Sequence, residues 1–429
     1  MSSQRFQVVI VGAGLVGAAA ALALGRQGLR VALIERAPPQ EPDEASPPLP
    51  NPDETTKHST KPASGQVAAH LPQAGEGANV MPEPAQWDTR IYAISPTSQR
   101  FLERFGAWQR MDASRIQPVF RMDVAGDTSG AIRLDAYEAG VSHLATIVES
   151  GRLQQALWQA LQADGNVALH CPAAIVSIER QEQHTRLTLA DGTLLQADLI
   201  VGADGATSRI RDWAGLDSTL TPYGQSGVVA NFECERPHRG TAFQWFFDHD
   251  ILAWLPLGSA SGNSMSMVWS TPAAQADELV ALDAAALAEK VQVAGHRRLG
   301  ALRLLTPAAA FPLRLNRVES IVAPGIALIG DAAHGVHPLS GQGVNLGFGD
   351  AEALVEVLVQ HRKTPCGDIR VLQRYARARA EPVQRMQALT HGLHHLFASE
   401  HAGWLRNTGM AWLNRLPPLK AALVREAMA

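Results

Sequence analysis

Between Val8 and Glu35 the chain reads VVIVGAGLVGAAAALALGRQGLRVALIE, and few folds accommodate that order of residues. A β-branched run leads straight into Gly12, Gly14 and Gly17 in GxGxxG spacing. An alanine-rich helix follows, and a second apolar strand, Val31 to Ile34, stops at Glu35. In that context each position has a physical task. The first glycine permits a tight turn, the second lets a pyrophosphate approach the backbone, and the third lets the helix pack on the strand; the acid accepts from the hydroxyls of an adenosine ribose. An acid at this point disfavours a 2′-phosphate, and the adjacent Arg36 offsets that only in part. Although Val8 to Gly25 is free of charge, the glycine spacing and the flanking strands argue for a parallel βαβ unit rather than a signal peptide or a membrane span.

A second strand–loop–helix unit lies near the other end, in IALIGDAAHGVHPLSGQGVNLGFGD from Ile326 to Asp350. Asp331 falls at the strand's C-terminal edge, where open parallel sheets bind ligands, with its carboxylate free to accept from sugar-like hydroxyls. Gly341, Gly343 and Gly347 let backbone approach a flat ligand, and a helix starting near Asn345 points its positive end there. A third unit, LQADLIVGADGATSRIRDWAG, ends an apolar strand at Gly202 and turns at Asp204-Gly205.

These motifs carry a resemblance. GDAAH, HP and GQGxNxG with an acid after it resemble the second flavin motif of single-component aromatic hydroxylases, and the version here is similar to the ubiquinone-biosynthesis hydroxylase family. The Asp204-Gly205 turn resembles the same family's third fingerprint, and Asp88-Thr89-Arg90 before a Ser-capped helix resembles its segment over the flavin ring. The resemblance implies non-covalent FAD held by Gly12, Gly14, Gly17, Glu35, Arg36, Arg90, Asp204, Asp331, Pro338, Gly341, Gly343 and Asn345. By the same resemblance Pro338, Gly341 and Gly343 lie near the ring, and Asp331 holds the ribityl chain. The chemistry is then borne by the flavin, so no side chain stands out as the catalytic acid or base. NAD(P)H would be a transient co-substrate, with O2 activated as a flavin C4a-hydroperoxide for transfer of one oxygen to an electron-rich ring, here that of a lipid-like, polyprenylated phenol or quinol. Two alternatives stay open: a flavin oxidoreductase acting on a lipid without oxygen transfer, and a non-catalytic flavoprotein scaffold of a biosynthetic complex.

The expected fold is α/β, a Rossmann-like FAD-binding domain interleaved with a smaller antiparallel-sheet substrate domain and followed by a helical C-terminal tail. Segments 1–37, 87–91, 135–215 and 305–365 belong to the first, 92–134 and 216–304 to the second, and 366–429 to the tail. Between residues 38 and 86 lie eleven of the 26 prolines and no Phe, Trp or Tyr, so this stretch reads as a solvated, dispensable insert. IYAISPTSQRFLERFGAW after it reads as a turn and an amphipathic helix. In the run of short strands from Gly224 to Thr271, Phe243, Trp245, Phe247, Trp254 and Trp269 either line a cavity facing the flavin or form core, and the sheet as a whole offers the pocket face.

Charge and cysteine usage narrow the class. A formal net charge of -4 on 429 residues gives no footprint for nucleic acid. Cys171, Cys234 and Cys366 are far apart and lack any CxxC, which suits a reducing cytoplasm and argues against zinc or disulfides. His391 and His395 have metal-like spacing but no carboxylate or cysteine to complete a site, so no metal is expected. The tail interleaves Trp404, Leu405, Met410, Trp412, Leu413 and Leu416 with Arg406, Arg415, Lys420 and Arg425. Such a face suits docking at the inner membrane surface or on a ubiquinone-biosynthesis complex, and equally packing on the protein's own body or in a homo-oligomer.

Overall fold

The computed structural model describes residues 4–39, 87–126, 130–182, 184–247, 250–335 and 343–398, the last stretch with side chains to 388. Residues 40–86 of the insert, Pro338, Gly341 and the tail from Trp404 lie outside them.

The glycine-motif strand, Gln4–Val11, sits at the centre of a mainly parallel sheet, between Leu194–Gly202 and Val31–Ile34. Ile326–Leu328 extends the sheet beyond Leu194–Gly202, and Val167–His170 extends it beyond Val31–Ile34. These strands are continuous apolar runs because both faces are covered: Val8, Val9 and Ile10 are each 0% exposed. The helices Leu15–Arg26, Ser150–Asp164 and Gly343–Gln360 share one hydrophobic cluster on one side. An antiparallel arm, Ile175–Arg180 with Thr185–Leu189, completes the other. Leu15–Arg26 is alanine-rich because it is buried on nearly every side, and small side chains let neighbouring helices approach.

A second, mostly antiparallel sheet has the order Leu302–Leu304, Ser218–Cys234, Ser264–Pro272, Asp250–Pro256, Thr241–Phe247, Arg121–Ala125 and Ala131–Asp135. Between the two lies a three-stranded sheet of Ile91–Ile94, Ala145–Glu149 and Gln117–Val119. The stretch IYAI, expected as part of a turn, is therefore a strand. Ser95 ends it and caps the helix Pro96–Glu103, accepting the Ser98 amide at 3.2 Å, while Phe105 and Trp108 are buried beyond the helix end.

The pairings decide what the aromatic strands do. Phe243 lies opposite Trp254, Trp254 opposite Met267, and Leu252 opposite Trp269, so all share one face. That face is covered by the helices Ala273–Ala281 and Ala284–Ala294 through Leu279, Leu287 and Val291. Of the two readings open for Phe243, Trp245, Phe247, Trp254 and Trp269, the structure supports core: they fill the layer between sheet and helices. The opposite face carries Val229, Asn231, Ala242, Gln244, Phe246, Ile251, Ala253, Leu255, Ser266 and Val268, and Ala242 packs there with Val119 and Ile147 of the small sheet. Bulky rings dominate the core layer, whereas Val229, Ala253, Leu255 and Val268 make the middle of the opposite face aliphatic.

Candidate functional site

Register brings the motifs together. Val11 pairs with both Ile34 and Gly202, and Gly202 pairs with Leu328, so these strands end at one edge of the sheet. Gly12, Glu35, Asp204 and Asp331 each follow one of those ends within three residues, and that edge is where ligands enter open parallel sheets.

The three glycines differ in the space around them. Gly12 has φ +102°, and a Cβ there would sit 2.4 Å from the Ala203 carbonyl oxygen; at Gly17 it would sit 2.0 Å from the Gly12 oxygen. At Gly14 it would meet nothing within 4 Å. Gly14 also caps Leu15–Arg26 without any side-chain hydrogen bond, so the first amides of this helix face the open space over that glycine. That cradle fits a pyrophosphate. Glu35 accepts the Ala13 amide on Oε2 at 2.6 Å and the amides of Arg36 (2.6 Å) and Ala37 (3.4 Å) on Oε1, which leaves Oε2 a second acceptor site for a ribose hydroxyl. The side chain of Arg36 is exposed.

Asp331 stands exposed on a short 3-10 turn, Gly330–Ala332, and its carboxylate accepts no hydrogen bond among the described residues. A free acceptor at this edge fits the hydroxylated chain of FAD. Beneath it lies a buried charged cluster. Asp350, 0% exposed, accepts the Gly330 amide at 2.9 Å and His334 Nε2 at 2.7 Å, while Arg379 Nε donates to its other oxygen at 2.7 Å. The turn that carries Asp331 is thereby tied to Gly343–Gln360 and to the C-terminal helix Ile369–Ala398. Burial by itself would push the His334 imidazole down, but the charge and hydrogen bond of Asp350 outweigh it and hold it above its ordinary value. Burial would likewise raise Asp350, and the charges and hydrogen bonds of His334 and Arg379 bring it below the usual carboxylate range.

Other expected residues have local roles. Asp204 accepts the Ser208 hydroxyl and the amides of Arg209 (2.8 Å) and Ile210 (3.2 Å), so its carboxylate caps its own short helix. Asn345 accepts the Ser95 amide at 2.9 Å and donates to the Ala93 carbonyl at 2.8 Å, bracing the helix against the small sheet. Gly343 opens Gly343–Gln360 and so stands at its positive end. Gly347 serves packing rather than ligand approach: a Cβ would lie 2.5 Å from Val16 Cγ2. Arg90 is exposed, its guanidinium 5.8 Å from the centre of the Tyr92 ring, while Asp88 accepts the Arg90 amide at 2.8 Å and the Gly151 amide at 2.7 Å.

Several contributors were not visible from spacing. Gln154 donates to the Ala13 carbonyl in the glycine turn. Arg211, 6% exposed, donates to the Ala332 carbonyl at 3.3 Å and to that of Ala206 at 3.0 Å, linking the Asp204 and Asp331 turns. Glu149 is buried between Arg115 (2.7 Å) and Arg152 (2.9 Å) and accepts the Asp88 amide at 2.9 Å, which fixes the strand entering Arg90. His334 and Asp350 stand inside the GDAAH and GFGD motifs, but nothing in the chain marks Arg379 as their partner.

A parallel sheet with a glycine turn and an exposed carboxylate at one edge, beside an antiparallel sheet with an aliphatic patch opposite its core face, is the architecture of a flavin-dependent hydroxylase. A family model for the FAD binding domain matches residues 5–45 and 83–390, and the chain belongs to that family. The gap between its two matched segments lies within the proline-rich insert. The chain is 34% identical over 362 residues to 3-demethoxyubiquinol 3-hydroxylase of Escherichia coli, covering 84% of this chain and 82% of that one. It is 30% identical over 425 residues to the ubiquinone hydroxylase UbiL of Rhodospirillum rubrum, covering 98% and 89%. The fold is shared with PqsL of Pseudomonas aeruginosa, at a TM-score of 0.73 and 20% identity over 95% of this chain and 99% of that one. The protein is an FAD-dependent monooxygenase that hydroxylates an aromatic ring.

Proposed function

We propose that the protein hydroxylates the ring of a polyprenylated phenol or quinol in ubiquinone biosynthesis, with NAD(P)H and O2 as co-substrates. The observation that carries the reading is the pairing of two surfaces. The strand edge bears an open cradle at Gly14 and an exposed carboxylate at Asp331, and the aliphatic face of the antiparallel sheet is joined to the same region by Asn231, which donates to the Asp88 carbonyl at 2.9 Å. The names of the relatives in Escherichia coli and Rhodospirillum rubrum support the substrate class.

Bound FAD supplies acceptance of a hydride from NAD(P)H and activation of O2. In this reading the amides opening Leu15–Arg26 hold the pyrophosphate, Glu35 takes the adenosine ribose and Asp331 takes the ribityl chain. Arg90 and Gly343 would border the ring, where the positive end of Gly343–Gln360 would favour the negative charge of the reduced state. Val229, Ala253, Leu255 and Val268 would orient an apolar ring and keep water out. Gly14→Val and Asp331→Ala should each give folded, colourless protein; full FAD occupancy in both would remove the assignment. Ring hydroxylation requires that a polyprenyl phenol stimulate NAD(P)H oxidation and that the product take one atom from labelled O2, whereas turnover without oxygen would replace it by oxidoreduction.

A bilayer-borne substrate brings the enzyme to the cytoplasmic face of the inner membrane. No described helix is long and apolar enough to cross a membrane. Truncation after His401 should retain FAD, and loss of turnover only with long-tailed substrates would assign the tail to docking.

A further inference from the structure

A cleft of about 560 Å³ opens at the edge of the antiparallel sheet formed by Arg121–Ala125 and Ala131–Asp135, and none of the residues lining it belongs to the strand ends that carry Gly14 and Asp331. Its walls hold five arginines, at 121, 133, 236, 239 and 298, against two aspartates. Asp123 is shared by Arg133 (3.1 Å) and Arg298 (3.2 Å), and Asp135 pairs with Arg121 at 3.1 Å. Arg236 and Arg239 have no ion pair among the described residues. Counting these side chains leaves the cleft three positive charges in excess, on a chain whose formal net charge is -4.

The cleft is also built to present those charges. Arg239 is held at φ +51°, a region that costs a non-glycine residue energy. Its turn is pinned from inside by His238, 4% exposed, which accepts the Gly240 amide on Nδ1 at 3.1 Å and contacts the Leu257 carbonyl through Nε2 at 3.1 Å. Phe120 lies over Gly240, where a Cβ would come within 2.7 Å of its ring. Phe120 is 49% exposed and Tyr137 is 93% exposed, and the two stretches are joined by the bond from the Ala136 amide to the Phe120 carbonyl at 2.9 Å.

We propose that this cleft is a docking face for an anionic phospholipid surface. The inference rests on the polyprenylated substrate proposed above and names a surface within the described residues, separate from the tail. A molecule of net negative charge is repelled by an anionic bilayer as a whole, so it can approach only through a face with a local positive excess. Arginines set phosphate contacts, and exposed aromatic rings beside them suit the headgroup layer better than open water. An acidic protein would be met by the charges but leaves the two exposed rings without a role.

The test is sedimentation of the full-length, FAD-loaded protein with vesicles that contain no quinone. Binding to phosphatidylglycerol–phosphatidylcholine vesicles, weakened by salt and absent with pure phosphatidylcholine, is the expected result. The double variant Arg236→Ser/Arg239→Asn, in which asparagine tolerates the left-handed turn, should bind about thirtyfold more weakly, as two arginines near a charged bilayer contribute. Phe120→Ser/Tyr137→Ser should also weaken binding, and both variants should keep FAD and basal NAD(P)H oxidation. Wild-type protein that ignores anionic vesicles, or an arginine variant that binds as tightly as wild type, overturns the proposal. Because the vesicles hold no substrate, failure of docking leaves the ring-hydroxylation reading standing, and failure of hydroxylation with docking intact leaves this one standing.

Discussion

Glu149 and Asp350 invite comparison, because each is a buried carboxylate that braces a segment at the edge proposed to hold the flavin. Glu149, 2% exposed, takes two contacts of 2.7 Å from Arg115 and one of 2.9 Å from Arg152, and it accepts the Asp88 amide ahead of Arg90. Asp350 takes Arg379 and His334 and accepts the Gly330 amide ahead of Asp331. Both therefore carry one carboxylate, two basic partners and one backbone donor. Two features separate them. The Arg152 side chain is 20% exposed, so water screens part of the Glu149 cluster, while in the Asp350 cluster the most exposed side chain, Arg379, is 10% exposed. One of the basic partners of Asp350 is a histidine, whose charge can be lost at ordinary pH, whereas arginine stays charged. Buried ion pairs add little net stability, yet they penalise every arrangement that separates the partners, which suits them to holding a turn in place.

The largest effect should come from Asp350→Asn. Leaving Arg379 and His334 buried without their counter-charge should cost about 3–5 kcal/mol in urea unfolding, together with most of the FAD affinity. Retained affinity would show that the Asp331 turn does not depend on the cluster. Glu149→Gln should cost about 3 kcal/mol, near the lower end of that range because solvent reaches Arg152, with FAD affinity reduced much less than in Asp350→Asn. If the two variants lose FAD equally, the distinction between the clusters fails.

The third expectation is a pH dependence confined to one cluster. His334 is raised when folded, so its contribution is complete below the ordinary histidine value of about 6.5 and is lost as pH rises through the higher folded value. Asp350 is lowered, so its contribution is present above the ordinary carboxylate value and is lost as pH falls through the lower folded value. The alkaline loss amounts to about 1.4 kcal/mol for each pH unit by which the folded His334 value exceeds the unfolded one. It should vanish in His334→Gln and persist in Glu149→Gln, as read from unfolding midpoints across pH. An alkaline loss unchanged in His334→Gln would assign it to another group. The smallest effect belongs to Tyr375, whose hydroxyl donates to the Leu328 carbonyl at 2.8 Å one turn before Arg379. Tyr375→Phe should cost about 1 kcal/mol with FAD content unchanged, and a larger loss would extend the Asp350 cluster to this strand.

Much of this protein is a property of local sequence. The βαβ unit from Val8 to Glu35, the turn at Gly330-Asp331, the Asp204-Gly205 turn and the period of two in the aromatic strands are readable without coordinates, because glycine spacing and side-chain alternation act within a few residues. The work of Gly12 and Gly17 also follows from spacing, since their partners lie within the same turn or against the strand beside it. Alternation could not tell which face of the antiparallel sheet turns toward the flavin edge. That choice was made by the helices Ala273–Ala281 and Ala284–Ala294, which close over the tryptophans and leave Ala253 and Val268 to the other side. The partners of the buried carboxylates were equally hidden: Arg379 stands 29 residues from Asp350, and Arg115 stands 34 from Glu149. Asp204, Asn345 and Gly347 had the right residue types for ligand contact, but the packed chain drew their side chains, or the space beside them, into caps, braces and helix contacts. Local sequence thus determined where each turn lies and which residues can meet a phosphate or a hydroxyl. Tertiary structure decided which of those residues stay free to do so, because a polar group is committed by whatever donor or acceptor folding brings within about 3 Å of it.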